Sequence, residues 1–306
     1  MTDENARKRT WIVPPEAAGM RIDLWLVKKN PGGSRGKIKK LLDEGAVFIG
    51  KKKVVMAGWK LKEGDRVSVQ NSSVAGKVYL NVYFEDRDII VVEKPSGFLT
   101  EPKEKSPRGN LLTLVKQYLQ RKHPGIKDSY VKLLHRLDAE TSGIVVLAKS
   151  KAGEALEADF RSHKIQRRYS AIVHGALDQG NGRIEYFLEE GDFGGGRKVR
   201  VAAGVDGKRA VTDFLVKERY PSATWLDITV HTGRTHQIRV HLEAIGHPIL
   251  GDKIYRRDAV PFSRQALHAS GLIFKHPVTG KKLQFESPLP ADLKLLIDRL
   301  RLNDRM

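Results

Sequence analysis

Residues 131–149 constrain the fold more than any other stretch of the chain. The apolar run at 131–134 and the run Ile144, Val145, Val146 and Leu147 are separated by Asp138 and a polar turn of Glu140, Thr141, Ser142 and Gly143. Two strand-like runs joined by such a turn predict a hairpin-like pair with its turn at a sheet edge. Loops held on a rigid scaffold commonly carry functional groups. A lone turn aspartate, by contrast, ordinarily bonds turn amides or pairs with a neighbour such as Arg136. Which reading applies to Asp138 depends on the rest of the chain.

The 306 residues suffice for two domains with at least one sizeable core. The formal net charge is +19 and the sequence pI is about 9.9, which points to a polyanionic partner. Cysteine is absent, so disulfides and thiolate metal sites are excluded. No apolar run reaches the length of a membrane span and no signal-peptide pattern opens the chain. A cytoplasmic protein without membrane attachment is expected. The polar N-terminus, residues 1–10, is expected to lack structure.

Residues 11–70 read as a small unit of two helices followed by strands. Ile22, Leu24, Trp25 and Leu26 have helical spacing within 20–29. After Asn30, Pro31, Gly32 and Gly33, Ser34 is a good N-cap for a second helix near 35–44, closed by Gly45. Strands follow at 46–49 and 66–69, with turns at Gly50 and Gly64. Between residues 19 and 70 there are thirteen Lys or Arg against five Asp or Glu. Arg35, Lys37, Lys39 and Lys40 crowd the second helix, while Ile38, Leu41 and Leu42 supply its buried side. Such a helix can lay cations along a phosphate backbone, although most charge runs are merely solvated faces. The segment resembles the small RNA-binding module named after small-subunit ribosomal protein S-four, at Arg21, Asp23, Ser34, Arg35, Gly45, Val47, Gly64 and Asp65. That resemblance implies binding of structured RNA, with Arg21, Ser34, Arg35, Lys37, Lys39 and Lys40 as the contact residues.

Residues 71–77 read as a polar linker, and a second domain is expected over 78–306. Its strands are predicted at 89–93, on both sides of Asp138, and at 169–173, 211–217 and 225–230. Helices are predicted at 111–122, capped by Asn110, from Ser150 to about 161, and at 235–245 and 292–302. No regular βαβ repeat appears, so the class is α+β with a mixed, mainly antiparallel sheet.

Three segments could carry chemistry: 135–138, 167–171 and 232–241. Tyr169 could equally be a core aromatic. His231, His236 and His241 are spaced by five, which does not align side chains for a metal, and none is expected. Gly194, Gly195 and Gly196 lack the pattern of a phosphate cradle. The stretch HRLD is like a kinase catalytic loop, but the remaining kinase elements are missing.

Taken together, HRLDAETSGIVVLAKS, RRYSAIVHG, TGRTHQIRVHLEAIGHPILGD and ALHASGLIFKHPVTG resemble, in order, the motifs of the RluA family of pseudouridine synthases, over roughly residues 80–290. The resemblance implies the pseudouridine synthase fold and an isomerase without cofactor. It makes Asp138 the catalytic carboxylate and Tyr169 a residue packed against the target base. Arg239 is implied to hold Asp138 ionised and oriented, and Arg136 to help displace the target nucleotide. Arg167 stands where many of that family carry lysine, which keeps the charge. His135 is left without a role.

The implied reaction breaks the N1 glycosidic bond of uridine, turns the base and rejoins it through C5. A carboxylate can attack the anomeric carbon or remove a sugar proton, and the sequence leaves both routes open. The target nucleotide has to leave its stack, at a cost of a few kcal/mol. Large-subunit ribosomal RNA is the expected substrate and transfer RNA the alternative, with the protein acting as a monomer. A non-catalytic RNA-binding or ribosome-assembly factor is the competing class. An aspartate facing a polyanion argues against it.

Overall fold

The computed structural model describes residues 8–29, 34–43, 47–50, 52–54, 56–70, 80–103, 109–125, 129–192, 197–255 and 262–303. Gly45, the stretch 71–77 and Gly194 to Gly196 lie outside the described residues, as does the side chain of Lys40. The chain divides into two compact units, Met1–Tyr79 and Leu80–Met306.

In the smaller unit, helices α1 (Ile22–Lys29) and α2 (Arg35–Asp43) accompany a sheet of β1 (Lys8–Ile12), β2 (Val47–Ile49), β3 (Lys52–Lys53) and β4 (Arg66–Gln70). The strand order is β1-β4-β2-β3. Ile22, Trp25 and Leu26 recur at three- and four-residue spacing and form one buried stripe of α1. It packs with Ile38 and Leu42 of α2 and with Val47 and Val67 of the sheet. Ser34 starts α2 as expected, its Oγ accepting the Lys37 N–H at 3.3 Å.

The expectation that residues 1–10 lack structure fails at residues 8–10. They belong to β1, which runs antiparallel to β4 from Lys8↔Gln70 to Ile12↔Arg66. A polar strand forms here because β4 supplies the backbone partners and Trp11 packs edge-on to Trp25, with centroids 6.3 Å apart.

The larger unit comprises β5 (Val82–Glu85), β6 (Ile89–Lys94), α3 (Leu111–Lys122), β7 (Lys132–Leu133), β8 (Ser142–Ala148), α4 (Leu156–Arg161), β9 (Gln166–His174), β10 (Asn181–Asp192), β11 (Arg197–Val201), β12 (Lys208–Tyr220), β13 (Ala223–Val230), α5 (Gln237–Ala244), β14 (Leu267–Lys275), β15 (Lys282–Glu286) and α6 (Ala291–Asn303). The strands form one sheet in the order β11-β10-β12-β13-β9-β14-β8-β6-β5, with β15 added on β14 and β7 on β8. Among the described strand pairs only β14–β8 is parallel, at His268↔Ser142 and Ala269↔Gly143. The class is therefore α+β with a mixed, mainly antiparallel sheet. Among the described residues no helix is long and apolar enough to cross a membrane.

The 131–149 stretch does form an antiparallel pair, with Lys132↔Ala148 and Leu133↔Leu147. Its turn is not at a sheet edge, however, because β8 is an interior strand. All seven residues of β8 are buried. Ile144 and Val146 join α4 residues Leu156 and Phe160 in one core, while Val145 and Leu147 join α3 residues Leu111, Val115 and Leu119 in another. A strand covered on both faces needs a continuous apolar run, which is what 144–148 provides. Gly143 has φ 120°, and a Cβ there would collide with the backbone of Ala269. Only glycine permits β8 to approach β14 so closely, just beyond the Asp138 loop.

Asn110 caps α3 as expected, its Oδ1 accepting the Thr113 N–H at 2.9 Å. Ser150 does not cap α4, which starts from Ala155 without a side-chain cap. Its Oγ accepts the Gly153 N–H at 3.0 Å, ahead of the 3-10 turn over Gly153–Ala155 that precedes the helix.

Candidate active site

Asp138 lies in the β7–β8 loop. The Thr100 hydroxyl accepts the Leu137 N–H at 3.1 Å and donates to the Leu137 carbonyl at 2.7 Å. On the other side the Thr141 N–H donates to the Asp138 carbonyl at 3.1 Å. The carboxylate thus projects from a backbone fixed at both ends.

The structure brings Asp138 and Arg239 together. Arg239 lies on α5, is 4 % exposed, and donates from Nη1 to Asp138 Oδ2 at 2.8 Å. Its Nε and Nη2 form a two-pronged pair with Asp252 at 2.7 and 2.9 Å. Burial opposes the Arg239 charge, but the two carboxylates outweigh it and raise the pKa. For Asp252 burial acts upward, and Arg239 with the Ile254 and Tyr255 amides outweighs it and lowers the pKa.

A second chain of contacts reaches the other carboxylate oxygen. His236, at the N-cap of α5, adopts a left-handed φ of 53°. Its Nε2 lies 3.8 Å from Asp138 Oδ1, and its Nδ1 lies 2.9 Å from the Tyr255 hydroxyl. That hydroxyl accepts the Val199 N–H at 3.3 Å, and burial pushes its pKa up to about 12, so it keeps its own proton to donate to Nδ1. The assigned tautomer therefore carries its proton on Nε2, facing Asp138. Burial pushes the His236 pKa down, against the pull of Asp138, and keeps the ring neutral near pH 7. Tyr255 also lies over Arg239, 5.0 Å from ring centroid to guanidinium carbon.

The segment 232–237 is held by side chains that look inward. Gln237 accepts from the Thr232 hydroxyl at 2.7 Å and from the Arg234 N–H at 3.0 Å, and it donates to the Val211 carbonyl and the Thr212 hydroxyl. These bonds set the start of α5, and with it Arg239.

Asp138 stands on the wall between two cavities, of about 400 and 570 Å³, which share Arg136, Leu137, His236 and Arg239. The smaller is also lined by Phe160, Arg167 and Tyr169, and its volume suits a small ligand or base. Tyr169, on β9, is half-buried, and burial pushes its phenol pKa up. Lys103 and Lys253 line the larger cavity. Arg136 is exposed at the shared rim, 3.5 Å from Glu101, and does not pair with Asp138.

His135, left without a role by its sequence, stacks on Phe160 at 4.5 Å and accepts the Val146 N–H at 3.1 Å. It supplies the acceptor for one backbone amide of β8. His236 was weighed in sequence only as a metal ligand. Asp252 and Tyr255 carried no signal beyond their place in or just after the GHPILGD stretch.

In the smaller unit Arg35, Lys37 and Lys39 are exposed along α2, beside the exposed Ser34. Arg21 is bound through Nε and Nη2 to Asp23, at 3.1 and 3.0 Å.

Known proteins resemble this chain over most of its length. The family described as RNA pseudouridylate synthase matches residues 88–244, and the S4 domain matches 20–67. An uncharacterized RNA pseudouridine synthase, YlyB, of Bacillus subtilis is 35 % identical over 305 residues, covering 94 % of this chain and 96 % of that protein. Ribosomal large subunit pseudouridine synthase D of Haemophilus influenzae is 32 % identical, covering 94 % of each. In fold, the chain is similar to human RNA pseudouridylate synthase domain containing 4, with a TM-score of 0.60 over 72 % of this chain and 93 % of that one, at 24 % identity. The chain belongs to the RNA pseudouridine synthase family and is an isomerase with an N-terminal S4 domain.

Proposed function

We propose that this enzyme converts uridine to pseudouridine in large-subunit ribosomal RNA, with Asp138 as the catalytic carboxylate. The observation that carries the site assignment is the asymmetric setting of that carboxylate. Oδ2 is bound to Arg239, while Oδ1 accepts no hydrogen bond among the described residues, and Asp138 lines both cavities. Such an oxygen is free either to attack the anomeric carbon or to take a sugar proton. Arg239 orients Asp138, Tyr169 packs against the uracil in the smaller cavity, and Arg136 at the rim helps keep the nucleotide out of its stack. The RNA-binding domain expected over 11–70 takes in 8–10 as well, because β1 pairs with β4, with 71–77 as the linker and 78–306 as the catalytic domain. In the first of these, Ser34, Arg35, Lys37, Lys39 and Lys40 approach the RNA backbone, and Arg21 does so while paired with Asp23.

The ribosomal substrate is supported by relatives bearing that name at 32 % identity over nearly full length. The test is tritium release from ribosomal RNA tritiated at uracil C5, because isomerisation expels that atom. Wild type is expected to release it without added cofactor and Asp138→Asn to release none. Release from transfer RNA alone would move the substrate. Equal release by both proteins would remove Asp138 from the chemistry.

A further inference from the structure

Arg167 opens the strand that carries Tyr169, and it is a buried cation with unusual surroundings. It is 9 % exposed. It donates from Nη2 to the Thr232 carbonyl at 3.1 Å, and its Nε has no partner. No carboxylate lies within ion-pair distance of it among the described residues. The backbone makes room for it. A Cβ on Gly233 would stand 2.7 Å from Nη1, so glycine at 233 is what lets the guanidinium lie against the 232–234 turn. Arg167 and Tyr169 are two apart on β9, on the same face of the strand, and both line the smaller cavity. Burial pulls the Arg167 pKa down, and an arginine guanidinium stays charged inside proteins. A buried charge without a counter-charge is costly to the folded state.

The buried charges about the smaller cavity are therefore polarised. At Asp138 the lining holds that carboxylate and Arg239, whose guanidinium also binds Asp252 behind the cavity, so this group of three carries a formal charge of −1. Of the other charged lining residues Arg136 and Arg161 are exposed to solvent, Arg161 pairing with Glu157, and Arg234 bonds the Arg209 carbonyl. The wall at β9 holds Arg167, a formal +1 with no protein partner of opposite sign. The reaction of this family polarises its substrate the same way. When the C1′–N1 bond breaks, its electron pair stays on uracil and spreads to O2 and O4, leaving positive charge to develop at the sugar. The carboxylate wall suits the sugar and the Arg167 wall suits the base. We infer that Arg167 is a catalytic residue whose counter-ion is the detached uracil anion, stabilised through O2 or O4 until its electron pair is spent in the C5–C1′ bond, after which the C5 proton leaves and N1 takes up a proton. Attack by Asp138 and removal of a sugar proton both expel the same anion, so the role is common to the two routes. The inference rests on Asp138 being the reactive carboxylate.

The tests are Arg167→Met and Arg167→Lys in the full-length protein. Arg167→Met is expected to lower kcat by about 10²-fold or more, as for loss of a preorganised donor to a developing anion. KM for RNA should stay within about threefold, because the interaction strengthens only after bond breaking. The melting temperature should hold or rise, because an uncompensated buried charge has been removed. Arg167→Lys keeps the charge and should recover most of the rate. Single-turnover consumption of RNA carrying 5-fluorouridine supplies a second readout. Its base is the more acidic leaving group, so the deficit of either slowed variant should shrink on it. If Asp138→Asn is fully active, the reading of the site fails and this one with it. If Asp138→Asn is inactive but Arg167→Met keeps its kcat, only this inference falls. A lower melting temperature accompanying the lost rate would make Arg167 structural. A deficit equal on uridine and 5-fluorouridine would also overturn the leaving-group role. Should methionine prevent folding, Arg167→Gln, which removes the charge and keeps a polar side chain, takes its place in both the kcat and the fluorine comparison.

Discussion

Helices α2 and α5 are nearly the same length and both carry cations, yet they treat charge in opposite ways. On α2 the cations Arg35, Lys37 and Lys39 face solvent, while Ile38 and Leu42 hold the helix to its core. On α5 the cation faces inward. Arg239 is buried, and its guanidinium bridges Asp138 and Asp252. Exposed charges on flexible stems can follow an irregular phosphate backbone, and each contributes a small, salt-screened share. A buried guanidinium with every prong engaged fixes one carboxylate in one orientation and is expensive to disturb. Affinity spread over many replaceable residues and chemistry concentrated in a few irreplaceable ones should separate cleanly under mutation.

The largest effect expected is at Asp138. Asp138→Asn preserves shape and the contact with Arg239 but removes the reactive oxygen. Tritium release should fall by about 10³-fold or more, while RNA affinity by filter binding stays within a few-fold. Equal loss of both would place Asp138 in the framework and blur the contrast between the helices.

Arg239→Gln comes next and should damage activity and fold together. Asp138 and Asp252 would face each other without the cation between them. Loss of one partner from a buried pair costs about 3–5 kcal/mol, measurable by urea unfolding, and kcat should drop by about 10²-fold. A variant as stable as wild type would show that α5 holds its position without the ion pairs.

The corresponding insult to α2 should be milder in every respect. Arg35→Ala, Lys37→Ala and Lys39→Ala combined should weaken RNA binding about tenfold at moderate salt. The slope of log affinity against log salt should become shallower by about 2, the share of three phosphate contacts. kcat at saturating RNA and the urea midpoint should not move. A changed kcat would mean that α2 positions the substrate for chemistry, and the division between the two helices would fail.

The contrast was only half legible in the sequence. The cation face of α2 and its cap at Ser34 follow from local spacing, which survives translation into three dimensions. Asp138, Tyr169 and Arg239 were identifiable as a set through motif resemblance, but the 2.8 Å contact across a hundred residues was not readable from spacing. Asp252, His236 and Tyr255 were missed because their significance lies in tertiary contacts. Asp252 is an ordinary loop acid until Arg239 is placed against it, and His236 looks like a solvent-facing histidine until its left-handed backbone turns it toward Asp138. Strands β10 and β15 were missed because each is widely exposed, so polar residues dilute the alternation that marks a strand. β8, buried on both faces, announced itself.

The smallest effect expected concerns the far side of α5 and spares activity altogether. His241 is fully buried against Tyr186, their centroids 5.8 Å apart, and neither ring nitrogen has a hydrogen-bond partner. Burial pushes its pKa down to about 4. The unfolded chain, with an ordinary histidine near 6.5, binds this proton at higher pH than the folded one does. Between pH 6.5 and about 4 the unfolded state therefore holds more protons, and stability must fall as pH falls through that window. Below it both states are protonated and the contribution is constant. His241→Leu keeps an apolar group against Tyr186 and removes the titration. Its urea midpoint at pH 7 should stay close to wild type, while its loss of stability toward pH 4 is shallower by about one proton. Tritium release at pH 7 should be unaffected, since His241 touches neither cavity. An unchanged pH slope would mean that α5 opens to hydrate His241 before the rest of the fold gives way. That would make the helix holding Arg239 less rigid than its ion pairs suggest, and it would weaken the contrast with α2 at its most secure point.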